Sequence, residues 1–401
     1  MLKKKIALLT TSFGRIGGVA TVSAFLYRHL QSSDKYAPDV ISVPMPSPTD
    51  VNVRLLEPRT WFRGVGVRDD ERNGIPFCKI GAVLSEFEFQ RYRPRPTLTR
   101  ELEEYDLVQV VAGSPIWAYL TKHVSVPVTL QVATLTSVER EGAYSNEPLP
   151  LRLWRAVCTS IATRIEQQVP SMVDGIFVEN QWMYEHYRQN YPDSNVYFAP
   201  PGVDISTYHP VNGIENENRY ILSVGVFSRE RKNVKLLFQA YHQLRQKISD
   251  PPRLVLAGRE GPNETAWETA KSLGITEHVD VQIDVSEKKL TQLYRNAALF
   301  TLSSKEEGLG LVIAEAMASG VPVVSTDCGG PSTLIKEGET GYLTPTGDPD
   351  ALADRMQRIL ENPDHARELG ERGRERIEER FSERAAGERF LEVYDQLLFR
   401  K

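Results

Sequence analysis

Short apolar runs alternate with helical patterns along nearly the whole chain, and this alternation restricts the fold more than any other feature. It is the βαβ signature of parallel sheets covered by helices on both faces. In the first half, strands are predicted at Lys4 to Thr11, Asp39 to Val43, Leu107 to Ala112, Val126 to Ala133, Gly175 to Glu179 and Val196 to Ala199. A second series begins after Pro200-Pro-Gly-Val-Asp204 and the polar stretch Asn212 to Asn218, which reads as a linker. Its strands are predicted at Tyr220 to Val224, Leu254 to Ala257, Val279 to Ile283, Leu299 to Leu302 and Val321 to Ser325. The expected fold class is α/β, with two Rossmann-like doubly wound domains over residues 1–210 and 219–380. A chain of 401 residues is too long for one compact α/β core, and two domains imply a cleft between them.

Composition narrows the function. Hydrophobic content of 41% and charged content of 25% are those of an ordinary globular protein. A net charge of −5 gives no global reason to expect nucleic acid, because a phosphate-tracking protein normally carries a basic excess. Cys78, Cys158 and Cys328 are too scattered for a disulfide framework or a zinc site, so they read as packed thiols in a reducing, cytoplasmic setting. The basic start with its apolar run, Met1 to Gly14, is too short for a membrane span and alternates like a first buried strand.

The chemistry is concentrated in Ser303-Ser-Lys-Glu-Glu-Gly-Leu-Gly-Leu-Val-Ile-Ala-Glu-Ala-Met-Ala-Ser-Gly-Val-Pro-Val-Val-Ser325. It reads as a loop, a helix from about Leu309 to Ser319, a stop at Gly320 with Pro322 behind it, and a buried strand. The helix is apolar almost all round, so Glu315 in its middle is costly unless it faces a polar cleft or partner. Gly308 and Gly310 sit where the helix begins, and there glycine lets a ligand approach amides that have no intrahelical acceptor. Such a start attracts anions, helped by the helix dipole. Glu307 stands just before it and Glu315 lies further along the same axis. A ligand with a hydroxyl-rich part, a diphosphate and a ribose would meet these groups in order, and a carboxylate suits a pair of sugar hydroxyls. That layout is a nucleotide-sugar. The competing readings are a solvated loop residue for Glu307 and a salt-bridged helix residue for Glu315.

The stretch Gly308 to Leu343, together with Gly202-Val-Asp204, resembles the GT4 family of retaining glycosyltransferases, which have the two-domain GT-B fold and a Glu-x7-Glu motif. The resemblance covers nearly the whole chain. It implies a hexosyl unit moved from a UDP- or GDP-sugar to a hydroxyl of a glycan, lipid-linked or small-molecule acceptor, with no metal and no cofactor. It implies that Glu307 contacts the donor sugar, the amides of Gly308, Leu309, Gly310 and Leu311 the diphosphate, and Glu315 the ribose. It also implies that the closing helix, 383–399, crosses back to the N-terminal domain, which accounts for its apolar face.

Other sites support this reading. Ser223 to Asn233 follows the first strand of the second domain, where loops line the carboxyl edge of a parallel sheet. Lys232 or Arg231 there would stabilise a leaving diphosphate more in the transition state than in the ground state. The family usually has an arginine where this chain has Val226, and Arg229 or Arg231 is the expected substitute. In the first domain, Thr11 to Gly18 lies between strand and helix, where backbone amides can meet an anion. It resembles the family's glycine loop, and the resemblance implies that Gly17, Gly18 and Arg15 lie beside phosphate and acceptor. It does not match the dinucleotide fingerprint Gly-x-Gly-x-x-Gly. Many relatives carry a histidine after the strand Val126 to Ala133, and this chain has none. Thr134, Thr136 and Glu139 are the candidates to reach the sugar instead.

Two segments, Arg152 to Ile165 and Gln90 to Pro96, mix arginines with apolar residues. They admit peripheral docking at the inner membrane face, against the alternative of an ordinary amphipathic helix facing a sheet. The rival functions are a sugar-nucleotide epimerase on the same fold and a nucleotide-sugar binder without catalysis.

Overall fold

The computed structural model describes residues 2–11, 13, 17–43, 51–140, 148–211 and 219–399. The predicted linker 212–218 and Arg15 lie outside the described residues. The chain divides into two compact units, the first formed by Met1–Gly202 with Ala386–Lys401 and the second by Val203–Ala385.

Unit 1 is built on an eight-stranded sheet. Its strands are β1 (Lys4–Thr11), β2 (Tyr36–Val43), β3 (Val67–Arg72), β4 (Ile75–Ile80), β5 (Leu107–Ala112), β6 (Val128–Val132), β7 (Gly175–Val178) and β8 (Val196–Phe198). They lie in the order β3-β4-β2-β1-β5-β6-β7-β8. Every pairing is parallel except β3 with β4. The β3–β4 hairpin was not predicted, because Val67-Arg-Asp-Asp-Glu-Arg72 is an exposed, charged edge strand with no apolar run. Its connection is Asn73-Gly74, with φ of 50° and 77°, the two positive values that a two-residue hairpin turn of the right twist requires.

The helix Glu383–Phe399 supplies the last layer of unit 1. The Phe390 ring centroid stands 4.4 Å from that of Phe177 and 6.1 Å from that of Phe25. Tyr394 Oη donates to Gln109 Oε1 at 2.7 Å, and Thr129 Oγ1 donates to the same oxygen at 2.7 Å. The buried polar groups on this sheet face thus meet one another rather than bare hydrocarbon.

Unit 2 holds a six-stranded, wholly parallel sheet. Its strands are β9 (Tyr220–Val224), β10 (Leu254–Gly258), β11 (Val279–Ile283), β12 (Ala297–Leu302), β13 (Val323–Thr326) and β14 (Tyr342–Thr344), in the order β11-β10-β9-β12-β13-β14. The three-residue β14 was not predicted, being too short to show a period. The order reverses beside β9, which has β10 on one side and β12 on the other. At such a switch point the loops leaving the two neighbouring strands part in opposite directions and open a crevice at the carboxyl edge. The loops concerned are 225–233 and 303–310.

Candidate active site

Those two loops are stitched together by hydrogen bonds to the backbone carbonyls of the first. Lys305 N donates to Arg231 O at 2.8 Å, and Ser303 Oγ donates to the carbonyls of Lys232 and Asn233 at 3.1 and 3.2 Å. Asn233 turns the chain with φ 48° and starts the helix Val234–Lys247. The result sets Lys232 and Glu307 side by side, each about nine-tenths buried.

The Lys232 ammonium bonds directly to Glu307 Oε1, and Ser304 Oγ donates to the same oxygen at 2.6 Å. Arg231 Nη1 stands 3.6 Å from Glu307 Oε2 and 3.7 Å from Glu306 Oε2. Burial pushes the Glu307 carboxyl up. The charges of Lys232 and Arg231, with the hydrogen bonds from Lys232 and Ser304, outweigh that and hold it below the usual carboxylate range. Glu307 is therefore a fixed anion in a cationic frame. The neighbouring Cys328 thiol is pushed up to about 12 by its burial and by the Glu307 charge, so it stays a thiol. Cys78, Cys158 and Cys328 are all free.

The backbone of Glu307 is held from the other side by the loop after β13. Glu307 N donates to Cys328 O at 3.3 Å, and Gly330 N donates to Glu307 O at 3.0 Å. The approach is so close that a Cβ on Gly330 would lie 2.5 Å from Gly308 O and 2.6 Å from Leu309 Cα. Gly330→Ala should therefore displace the 307–310 loop and cost about 1–3 kcal/mol, read as a lower midpoint in urea unfolding.

The helix that follows spans Leu311–Ala318, two residues shorter at its start than predicted. Gly310 precedes it in the left-handed region, φ 84° and ψ 57°, which turns the chain into the helix at a place where a side chain would be strained. Leu309 is buried ahead of the helix, whereas Leu311 and Val312 head it, where amides have no acceptor one turn earlier. Leu311, Val312 and Glu315 are its half-buried residues and share one face, while Ile313, Ala314, Ala316 and Met317 enter the core. Glu315 Oε2 accepts a hydrogen bond from Tyr294 Oη at 2.7 Å. Burial pushes the Glu315 carboxyl up to about 7, against the lowering effect of Tyr294 and with a further push from the Glu287 charge.

The remaining predicted residues are placed as follows. Arg229 is exposed and joins no ion pair among the described residues, because the turn Glu230–Lys232 carries Arg231 and Lys232 to Glu307 and leaves Arg229 outside. Val226 is half-buried, its carbonyl accepting from Arg229 N. In unit 1, Gly17 and Gly18 are exposed at the start of the helix Gly18–Ser32, and a Cβ on either would meet open space. Thr134 is buried, its amide bonded to Gly113 O at 3.0 Å. Thr136 is tied through its hydroxyl to Glu166, and Glu139 is exposed. Sequence reasoning missed Ser304, although its place three residues before Glu307 was a usable signal, and it missed Tyr294. In unit 1 it missed Glu179, buried beside Gln131 at the carboxyl end of the sheet. Burial pushes the Glu179 carboxyl up to about 7, although Gln131 Nε2 donates to it at 3.1 Å.

Two α/β units on mainly parallel sheets, one with a charged crevice at a strand-order switch, make the GT-B fold. Residues 204–376 match the family described as glycosyl transferases group 1. The matched residues all lie in unit 2. The chain is 34% identical over 204 residues to EpsD of Bacillus subtilis, a match that takes in 48% of this chain and only about half, 52%, of that relative's length. It is 26% identical to the N-acetyl-alpha-D-glucosaminyl L-malate synthase of Bacillus anthracis over 74% of this chain and 76% of that protein. The Anabaena protein HepE, solved in complex with UDP and glucose, shares the fold with a TM-score of 0.71 at 16% identity, over 98% of this chain and 99% of that one.

Proposed function

We propose that the protein transfers a hexosyl unit, with retention, from a UDP- or GDP-sugar to a hydroxyl of a glycan, lipid-linked or small-molecule acceptor. The observation that carries this reading is the buried Lys232–Glu307 pair, with half-buried Arg231 against it, beside the glycine-led start of the helix bearing Glu315. A diphosphate suits the head of that helix and the two cations. Glu307, kept ionised, suits the hydroxyls of the transferred sugar, and Glu315 the ribose diol.

In the reaction the bond from the anomeric carbon to the β-phosphate oxygen breaks as the acceptor oxygen approaches the same face. The acceptor's proton passes to the departing phosphate. Charge grows on the diphosphate as the bond breaks, and Lys232 and Arg231 stabilise that growing charge without reorganisation. Gly17 and Gly18, with Arg15, Thr134 and Glu139, are proposed for the acceptor and sugar side, and Arg229 as a further contact to the donor. The complex of HepE with UDP and glucose supports a uridine donor, though at a likeness of fold alone.

A thermal-shift screen of nucleotide-sugars tests the donor, because a ligand that binds the native state raises its melting temperature. A shift with one UDP- or GDP-sugar is expected, followed by product of unchanged anomeric configuration in NMR spectra. No shift with any donor would remove the donor assignment. Inverted product would remove retention, and epimerised sugar formed without acceptor would identify an epimerase.

A further inference from the structure

The exposed large apolar side chains are distributed very unevenly. Among the described residues only Val211 and Ile283 of them belong to unit 2, and most of the others cluster on one part of unit 1. The helix Leu149–Glu166 buries Cys158, Ala162 and Glu166 and leaves Leu149, Leu153, Val157 and Ile161 exposed at four-residue spacing, with Trp154 beside them. That is a continuous apolar stripe turned away from the core.

The stripe continues onto neighbouring segments. Phe89 lines a cavity of about 540 Å³ together with Ile161, Arg93, Tyr119, Lys122 and His123. Phe87 stacks on Phe89 at 5.9 Å, and Glu86 in the same loop accepts from Leu55 N at 3.3 Å. Leu55 leads into the short helix Pro58–Arg63, whose Trp61 and Phe62 are 54% and 93% exposed.

Charge has a consistent sign on this surface. Among the described residues of these segments, Glu57 and Glu86 pair with Arg54, and Glu88 with Arg140. Arg59, Arg93, Lys122, Arg152 and Arg164 are exposed among the apolar residues. The local cationic excess is opposite to the chain's net charge of −5. Tryptophan and phenylalanine interleaved with arginine fit an interface between acyl chains and anionic headgroups. No helix among the described residues is long and apolar enough to cross a membrane, so the contact lies in the plane of the interface.

We propose that the surface formed by the helix Leu149–Glu166, the Phe87–Phe89 segment and the helix Pro58–Arg63 docks on an anionic lipid bilayer. This is independent of the donor and of the reaction. The full chain should float with vesicles of equal parts phosphatidylglycerol and phosphatidylcholine, and bind about ten-fold less to phosphatidylcholine alone. Leu153→Glu, at a position 61% exposed, should lower partitioning into the mixed vesicles about ten-fold with an unchanged melting temperature. Ile283→Glu on unit 2 should leave partitioning unchanged. The proposal is overturned if the chain ignores the mixed vesicles, binds both vesicle types equally, or partitions undiminished as Leu153→Glu. It is also overturned if Leu153→Glu only dissolves a dimer formed without lipid, which would make this face a contact between two copies of the chain.

Discussion

Lys232→Met is expected to lower turnover by about 10²–10³-fold while leaving KM for the donor within a few-fold, because in the proposed reaction the lost group acts on charge that develops in the transition state. The ammonium also balances a buried carboxylate, and this gives the variant a second signature. With Lys232 gone, Glu307 keeps Arg231 at 3.6 Å and Ser304 at 2.6 Å but loses the larger of its two stabilising charges. Its pKa must rise, so the acid limb of the residual pH–rate profile should move to higher pH. The stability linkage has the same origin. A carboxyl held below its ordinary range contributes stability above the unfolded value and loses it as pH falls through the folded one. The acid end of the thermal stability curve should therefore be flatter in Lys232→Met than in the parent. Turnover and pH profile both unchanged would remove Lys232 from the site.

Glu315→Gln should weaken donor binding by about 10–200-fold, the worth of one charge-assisted hydrogen bond. The parent carries a pH dependence that the variant should lack. With its carboxyl at about 7, Glu315 is largely protonated at pH 6 and ionised at pH 8. A ribose diol needs the ionised form as acceptor of two hydrogen bonds. Donor affinity should thus be about ten-fold weaker at pH 6 than at pH 8, with proton release on binding visible in calorimetry in different buffers. Stability without donor runs the other way. A carboxyl raised from 4.5 to about 7 makes the folded state bind protons more tightly, so its contribution falls as pH rises between those values. Unchanged affinity in Glu315→Gln would end the ribose assignment.

The central parallel strands were legible because both faces of such a sheet are covered, which makes β1, β5, β9 and β12 apolar runs that need no alternation to be seen. The edge was not. β3 reads Val-Arg-Asp-Asp-Glu-Arg, and its only signal was the Asn73-Gly74 turn, which becomes informative once strands are sought on both sides of it. In the site, Glu307 and Glu315 were visible because their spacing is local. Tyr294 was not, since it reaches Glu315 from another element and nothing in a single sequence pairs residues 21 apart on different elements. Arg229, Arg231 and Lys232 look alike as a basic run. Only the 3₁₀ turn Glu230–Lys232 separates the two that reach Glu307 from the one left in solvent.

Unit 2 is continuous in sequence, whereas unit 1 is closed by the helix that brings Phe390 and Tyr394 onto its sheet. A ribosome therefore delivers every residue of unit 2 before the side chains that cover Phe177 and Gln109. During synthesis the first unit must wait, its sheet face uncovered, while the second is made in full. Residues 203–385 form one excisable segment, but a truncation near residue 386 removes a layer from the unit that was translated first.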